Sequence, residues 1–181
     1  MTRHHLLGLS GSLRKDSTNR KLIHEAARLY DGTTFTEGDL RLPLYDGDLE
    51  AEVGIPAEVQ TLVDQIAAAD AVVISGPEYN KSLSGVLKNA FDWVSRVKAN
   101  PWIDKPVAVM SAAAGRSGGE TAQFTLRHAL VPFRPRLLHG PQVMIASASK
   151  EFGDNGQLLN ERYIKILTDL MAALRTEVER G

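Results

Sequence analysis

Apolar residues recur along the chain in two alternating rhythms. Short unbroken runs at 5–9 (HLLGL), 71–75 (AVVIS), 106–111 (PVAVMS) and 141–146 (PQVMIA) have the length of buried strands, and 33–38 (TTFTEG) is a weaker fifth. Between them lie segments with helical spacing. Residues 18–30 set Leu22, Ile23, Ala26, Ala27 and Tyr30 on one face, and further helices are predicted over 57–69, 84–97, 120–131 and 159–179. Pro56 suits the start of the helix over 57–69, and Ser84 suits the N-cap of the next. Residues 39–56 read as an irregular polar connection. Strand and helix alternating five times predict one α/β domain over 1–181, a five-stranded parallel sheet with helices on both faces.

Ligands of such sheets sit at the carboxyl ends of the strands. The informative loops are therefore 10–18, 76–83 and 111–119. The first, within GLSGSLRKDSTNRKL, leads into a helix whose unpaired N–H groups and partial positive charge suit an anion. Ser10, Ser12, Ser17 and Thr18 add neutral donors, and Arg14 adds a charged one. Neither Gly-x-x-x-x-Gly-Lys-Ser/Thr nor Gly-x-Gly-x-x-Gly is present, so a cradle for a terminal phosphate monoester is the better reading. The same residue types are also good N-caps and turn formers. In the second loop, Pro77 stiffens the turn, while Tyr79 offers a flat ring and Asn80 an amide. The third, SAAAGRSGG, is nearly free of bulky side chains, which lets backbone approach a planar ligand. One phosphate loop and two loops for a planar heterocycle suggest a mononucleotide, with flavin mononucleotide the best fit.

Composition narrows the field. The chain has a formal net charge of -1 and no Lys/Arg run, which argues against a nucleic-acid surface. It has no cysteine, which removes thiolate catalysis, disulfides and Cys-ligated metal clusters. The N-terminal apolar run is too short for a signal peptide, and no stretch approaches the roughly 20 apolar residues of a membrane span. The chain reads as cytoplasmic. His4 and His5 are adjacent, and His24, His128 and His139 are scattered; none shows metal-ligand spacing, and His24 and His128 read as helix-face residues or satisfied polar contacts.

GSLRKDSTN (11–19), PEYNKSLSGVLKNAFDW (77–93) and the Gly-rich loop before GGETAQFTLRHAL (118–130) resemble the NAD(P)H-dependent FMN reductases, flavodoxin-like quinone, chromate and azo-dye reductases. The resemblance runs over nearly the whole chain. It implies a flavodoxin-like three-layer sandwich and hydride transfer in ping-pong fashion from NADPH or NADH, through bound FMN, to a quinone or similar acceptor. It places the FMN phosphate on Ser10, Ser12, Arg14, Ser17 and Asn19 with backbone help from Leu13, the isoalloxazine on Pro77, Glu78, Tyr79 and Asn80, and further backbone contacts on Ala112 to Gly115. It also implies a homodimer or homotetramer built on the helix after the Pro-Glu-Tyr-Asn stretch. Trp93, off that helix's core stripe, is expected to face the second subunit. Lys81, Arg96 and Arg116 are candidates for the extra phosphate of NADPH.

Two other readings compete. Ser117 lies in Gly-x-Ser-x-Gly between a strand and a helix, as a hydrolase nucleophile would. However, no Asp stands between Ser117 and His139, and Glu120 is within a turn of the serine, so the triad order fails. A non-enzymatic flavodoxin-like electron carrier or redox-sensing module is the other. Such carriers tend to be strongly acidic, which a net charge of -1 does not match.

Overall fold

Strands β1 (His5–Ser10), β2 (Thr34–Gly38), β3 (Ala71–Gly76) and β4 (Pro106–Ala112) lie parallel in the order β2-β1-β3-β4, in a computed structural model that describes residues 4–181. Two short strands share the next position. β5 (Arg136–Leu137) pairs with Pro106 and Val107 at the start of β4, and β6 (Val143–Ile145) pairs with Met110 to Ala112 at its end. Six strands thus fill five places. The run at 141–146 is trimmed because Pro141 has no N–H to give a ladder.

The central strands are buried on both faces, so their residues divide by parity. Leu7, Leu9, Val72, Ile74, Val107 and Val109 point to one side, where α3 (Ala57–Ala68), α4 (Gly85–Val94) and α5 (Glu120–Leu130) pack. Leu6, Val73, Ala108 and Met110 point to the other, against α1 (Thr18–Tyr30) and α6 (Glu161–Glu179). Ser84 caps α4 as expected, accepting from the Leu87 N–H, and Pro56 precedes α3.

The connection at 39–56 is more ordered than its pattern predicts. It holds α2 (Gly47–Val53), a seven-residue helix capped by Asp46, with no buried residue and hence no apolar stripe to reveal it. This connection also corrects the expectation for Trp93. The indole is fully buried within its own chain, donates Nε1–H to the Pro43 carbonyl at 2.7 Å, and meets the Tyr45 ring edge-on at 5.1 Å. Asn89 ties down the same segment, donating to the Pro43 carbonyl and accepting the Tyr45 N–H.

At the amino-terminal pole, Tyr30 is buried, with its hydroxyl 2.9 Å from His4 Nδ1 and the Arg175 guanidinium over its ring. Burial pushes its phenol up to about 12, Arg175 opposing. A raised pKa means the folded state keeps a proton that the unfolded chain gives up near pH 10. The associated stability is whole below pH 10 and is lost as pH rises toward about 12. Chemical denaturation as a function of pH is expected to show a decline of about 1–3 kcal/mol across that window. Tyr30→Phe should flatten the decline while losing about 1 kcal/mol at neutral pH with the His4 hydrogen bond.

Candidate functional site

The carboxyl ends of β1, β3, β4 and β6 open onto one cleft of about 370 Å³. Ser12, Arg14, Ser17 and Asn19 line one part of it; Pro77, Glu78 and Tyr79 another; Ala112, Ala113 and Ala114 a third. The loop after β6 adds Ala148, Ser149 and Phe152.

The first loop has donors to spare. Ser17 is the N-cap of α1, its Oγ accepting from the Arg20 N–H at 3.3 Å, which leaves its hydroxyl proton free to donate. The N–H groups of Leu13, Arg14, Lys15, Thr18 and Asn19 have no partner among the described residues, and neither does the Arg14 guanidinium. Ser10 is turned inward, its hydroxyl shared with Ser12 N–H and C=O. Ser10 and Leu13 line a smaller pocket of about 220 Å³ on the other side of the loop, beside Glu37 and Arg41; Ser12 and Arg14 line both.

Asn19 holds the cleft together. Its side chain is 2 % exposed. Oδ1 accepts from the Ser75 hydroxyl at 2.8 Å and from the Ala112 N–H at 3.0 Å, while Nδ2 donates to the Ala112 carbonyl at 2.9 Å. One amide on α1 therefore sets β3 and β4 against the first loop. It also occupies both backbone groups of Ala112, and the Ala113 N–H goes to Ile145. Among the described residues, the backbone N–H groups of Ala114, Gly115, Arg116, Ser117 and Gly119 have no partner, and of these Ala114 lines the cleft while Gly115 stands in the exposed turn beyond it.

Glu78 has a comparable duty. The N-cap of α5 is Gly119, which has no side chain to accept from the first turn. The Glu78 carboxylate takes that place, accepting from the Thr121 and Ala122 N–H groups at 3.1 and 3.3 Å, where the helix dipole favours a negative charge. Tyr79 and Ser82 exchange backbone hydrogen bonds around Asn80 and Lys81, both at positive φ, a tight hairpin of the I′ kind. Tyr79 is thereby left half exposed at the cleft edge, and Asn80 stands at the turn tip outside the lining.

Beneath the third loop, Gly118 adopts φ +63, and a Cβ there would stand 2.7 Å from the Met144 carbonyl carbon, so only glycine fits. Ser117 is exposed, and its hydroxyl bonds to no histidine among the described residues. His24 is bound to Glu37 at 2.8 Å, a satisfied polar contact.

The sequence reading does not foresee Asp16, Lys21, Ala148, Ser149 or Phe152 in the cleft. Lys21 had a usable signal, four residues after Ser17 and so one turn above it on α1. The three residues after β6 had none, because their position depends on the chain's return along β4.

Comparison with known proteins agrees with this architecture. Residues 5–150 match the family model of NADPH-dependent FMN reductases. The chain is 41% identical over 177 residues to the NAD(P)H-dependent FMN reductase PA1204 of Pseudomonas aeruginosa, covering 97% of this chain and 95% of that protein. It is 34% identical to a quinone reductase of Escherichia coli K12, over 95% of this chain and 94% of that one. The solved structure of FerB, a flavoenzyme NAD(P)H:(acceptor) oxidoreductase from Paracoccus denitrificans, superposes with a TM-score of 0.88 at 33% identity, covering 98% of both chains. The chain belongs to the NADPH-dependent FMN reductase family, and its fold is the flavodoxin-like sandwich.

The cleft's chemistry fits the cofactor of that family. One end combines a free guanidinium, serine hydroxyls, unpaired amides and a helix start, the donor set of a phosphate monoester. The other has a floor of alanines flanked by Pro77, Tyr79 and Phe152, which suits a flat ring.

Proposed function

We propose that this chain is an NAD(P)H-dependent FMN oxidoreductase that reduces quinones and related flat acceptors. The carrying observation is the two-ended cleft, cationic and hydroxyl-rich at α1 and small and apolar at the alanine floor. FMN held there would supply the two-electron redox chemistry that links NAD(P)H to the acceptor. Arg14, Ser12, Ser17 and the amides of 13–15 hold the phosphate. Ser10 shapes that loop from beneath, Asn19 fixes it to β3 and β4, and Glu78 fixes the Pro77–Tyr79 edge to α5. Tyr79 and Phe152 border the ring, while the Ala114 amide offers it a hydrogen bond.

The test is an absorption spectrum of the purified protein followed by anaerobic NADPH. Flavin bands near about 375 and 450 nm, bleached by NADPH, are expected. A colourless protein that FMN does not reconstitute overturns the reading. Steady NAD(P)H oxidation with a quinone separates an enzyme from an electron carrier. Arg14→Ala is expected to weaken FMN binding by about tenfold to a hundredfold, the value of a charge-assisted contact to a dianion, as read by flavin fluorescence titration.

We place the enzyme in the cytoplasm as a homodimer or homotetramer. No helix among the described residues is long and apolar enough to cross a membrane. With Trp93 buried internally, assembly rests on other residues. A groove of about 520 Å³ between α4 and α5 is lined by Leu83, Phe91 and Phe133, and Phe124 and Val131 stand exposed on and just after α5. Light scattering is expected to give a dimer or larger; a monomer overturns it.

A further inference from the structure

We propose that the groove along the outer face of α1 is the seat of the 2′-phosphate of NADPH. This rests on the FMN oxidoreductase reading above. The groove, about 370 Å³, is bounded by α1 and the 155–157 turn, and four cationic side chains, Lys15, Arg20, Lys21 and Arg28, line it against a single carboxylate, Glu25. On a chain of net charge -1 this is a local excess of positive charge.

The cations on α1 follow from its period. Ser17, Lys21, His24 and Arg28 fall on one stripe, and from Ser17 to Arg28 it runs about 16 Å. The one carboxylate does not repel an anion. Glu25 is 3 % exposed, and its oxygens accept from Arg28 at 2.8 and 2.9 Å and from the Leu158 N–H at 3.2 Å. Arg20 is held by Glu37 at 2.7 Å. Lys15 and Lys21 have no carboxylate partner among the described residues, so they are the groups free to meet a phosphate.

Position decides the ligand. The groove joins the FMN cleft at Ser17 and Lys21, which line both. A dinucleotide whose nicotinamide lies over the flavin ring reaches this groove by running above the bound FMN toward its phosphate end, which brings its adenosine half to the groove. The rival cations are less suited. Lys81 is paired with Glu78 at 3.2 Å, and Arg96 with Glu50 at 2.8 Å. Arg116 stands alone on the exposed turn. An adenosine carrying a 2′-phosphate gains the attraction of Lys15 and Lys21, and one with a bare 2′-hydroxyl does not.

The test uses the FMN-loaded protein and three probes: adenosine 2′,5′-bisphosphate, adenosine 5′-monophosphate and inorganic phosphate, with affinities by calorimetry. The bisphosphate is expected to bind at least about tenfold more tightly than either of the others. Lys15→Glu and Lys21→Glu should each weaken it by about tenfold and lower kcat/KM for NADPH relative to NADH. FMN content of each variant is read from its absorption, and nucleotide affinities are compared on the flavin-loaded fraction alone. Equal binding of bisphosphate and monophosphate, or undiminished bisphosphate binding in both variants, overturns the assignment. Inorganic phosphate binding as tightly as the bisphosphate overturns it too, making the groove a general anion site. A flavin-loaded enzyme whose NADPH:NADH preference ignores both substitutions sinks the groove alone. A protein without flavin that oxidises neither nucleotide removes the functional reading and the groove with it.

Discussion

Asn19→Ala is expected to destabilise the protein by about 3 kcal/mol and to abolish tight FMN binding. The side chain is buried and its three hydrogen bonds go to buried partners, the Ser75 hydroxyl and the Ala112 N–H and C=O. Removing it strands all three groups away from water, and each buried unsatisfied group costs about 1–3 kcal/mol, less where neighbours relax. The second effect follows from geometry. Asn19 is the link through which the α1 start is set against the ends of β3 and β4, so its loss frees two loops of the cleft to move apart. Urea denaturation reads the first effect and flavin titration the second. Asn19→Asp separates them further. A carboxylate of the same shape still accepts from Ser75 and Ala112 N–H, but it places a negative charge against the Ala112 carbonyl and toward the phosphate end. It should therefore lose more FMN affinity than its size alone explains. Full flavin affinity in Asn19→Ala would show that the loops are held by other contacts.

Trp93→Ala should cost about 3–5 kcal/mol, the range for deleting a buried aromatic, and it should do so without changing the oligomeric state of the protein that remains folded. The indole carries no exposed surface, and its neighbours are Tyr45 and the Pro43 carbonyl of the same chain. Its loss leaves a cavity under the 43–50 segment and removes the donor to that carbonyl. α2 has no buried residue of its own, and Arg96 pairs with its Glu50, so this segment should loosen first. Hydrogen exchange would register faster turnover at 43–53 than in the strands. A large shift in assembly with little loss of stability would restore an intersubunit role for Trp93.

The two substitutions mark where sequence reading succeeds and where it stops. Asn19 enters the sequence reading through the family resemblance, which implies a phosphate contact. Its side chain goes to the strands, and its backbone N–H has no partner among the described residues and stays at the cleft. The difference is one of reach: on a helix the residue two after the N-cap can face the ligand or the sheet, and only packing chooses. Glu78 is similar. Its place in Pro-Glu-Tyr-Asn suggests a ring contact, yet its carboxylate is drawn to the uncapped start of α5. Trp93 fails for another reason. A helical wheel shows that a residue lies off the core stripe, but not that a distant polar connection folds back to cover it.

Short-range periodicity and local chemistry carry the alternation of buried strands with amphipathic helices, the capping of α4, the parallel sheet, and the gathering of phosphate-type donors after the first strand. Those signals lie within a few residues of one another, so the chain carries them openly. Long-range packing sets how β5 and β6 share one edge of β4, that Phe152 and Ser149 wall the cleft, that Trp93 is closed in by residues 43–45, and that Lys15 and Lys21 flank a groove continuous with the cofactor site. Each of these depends on which distant segments meet, and that is settled by the packing of the whole core.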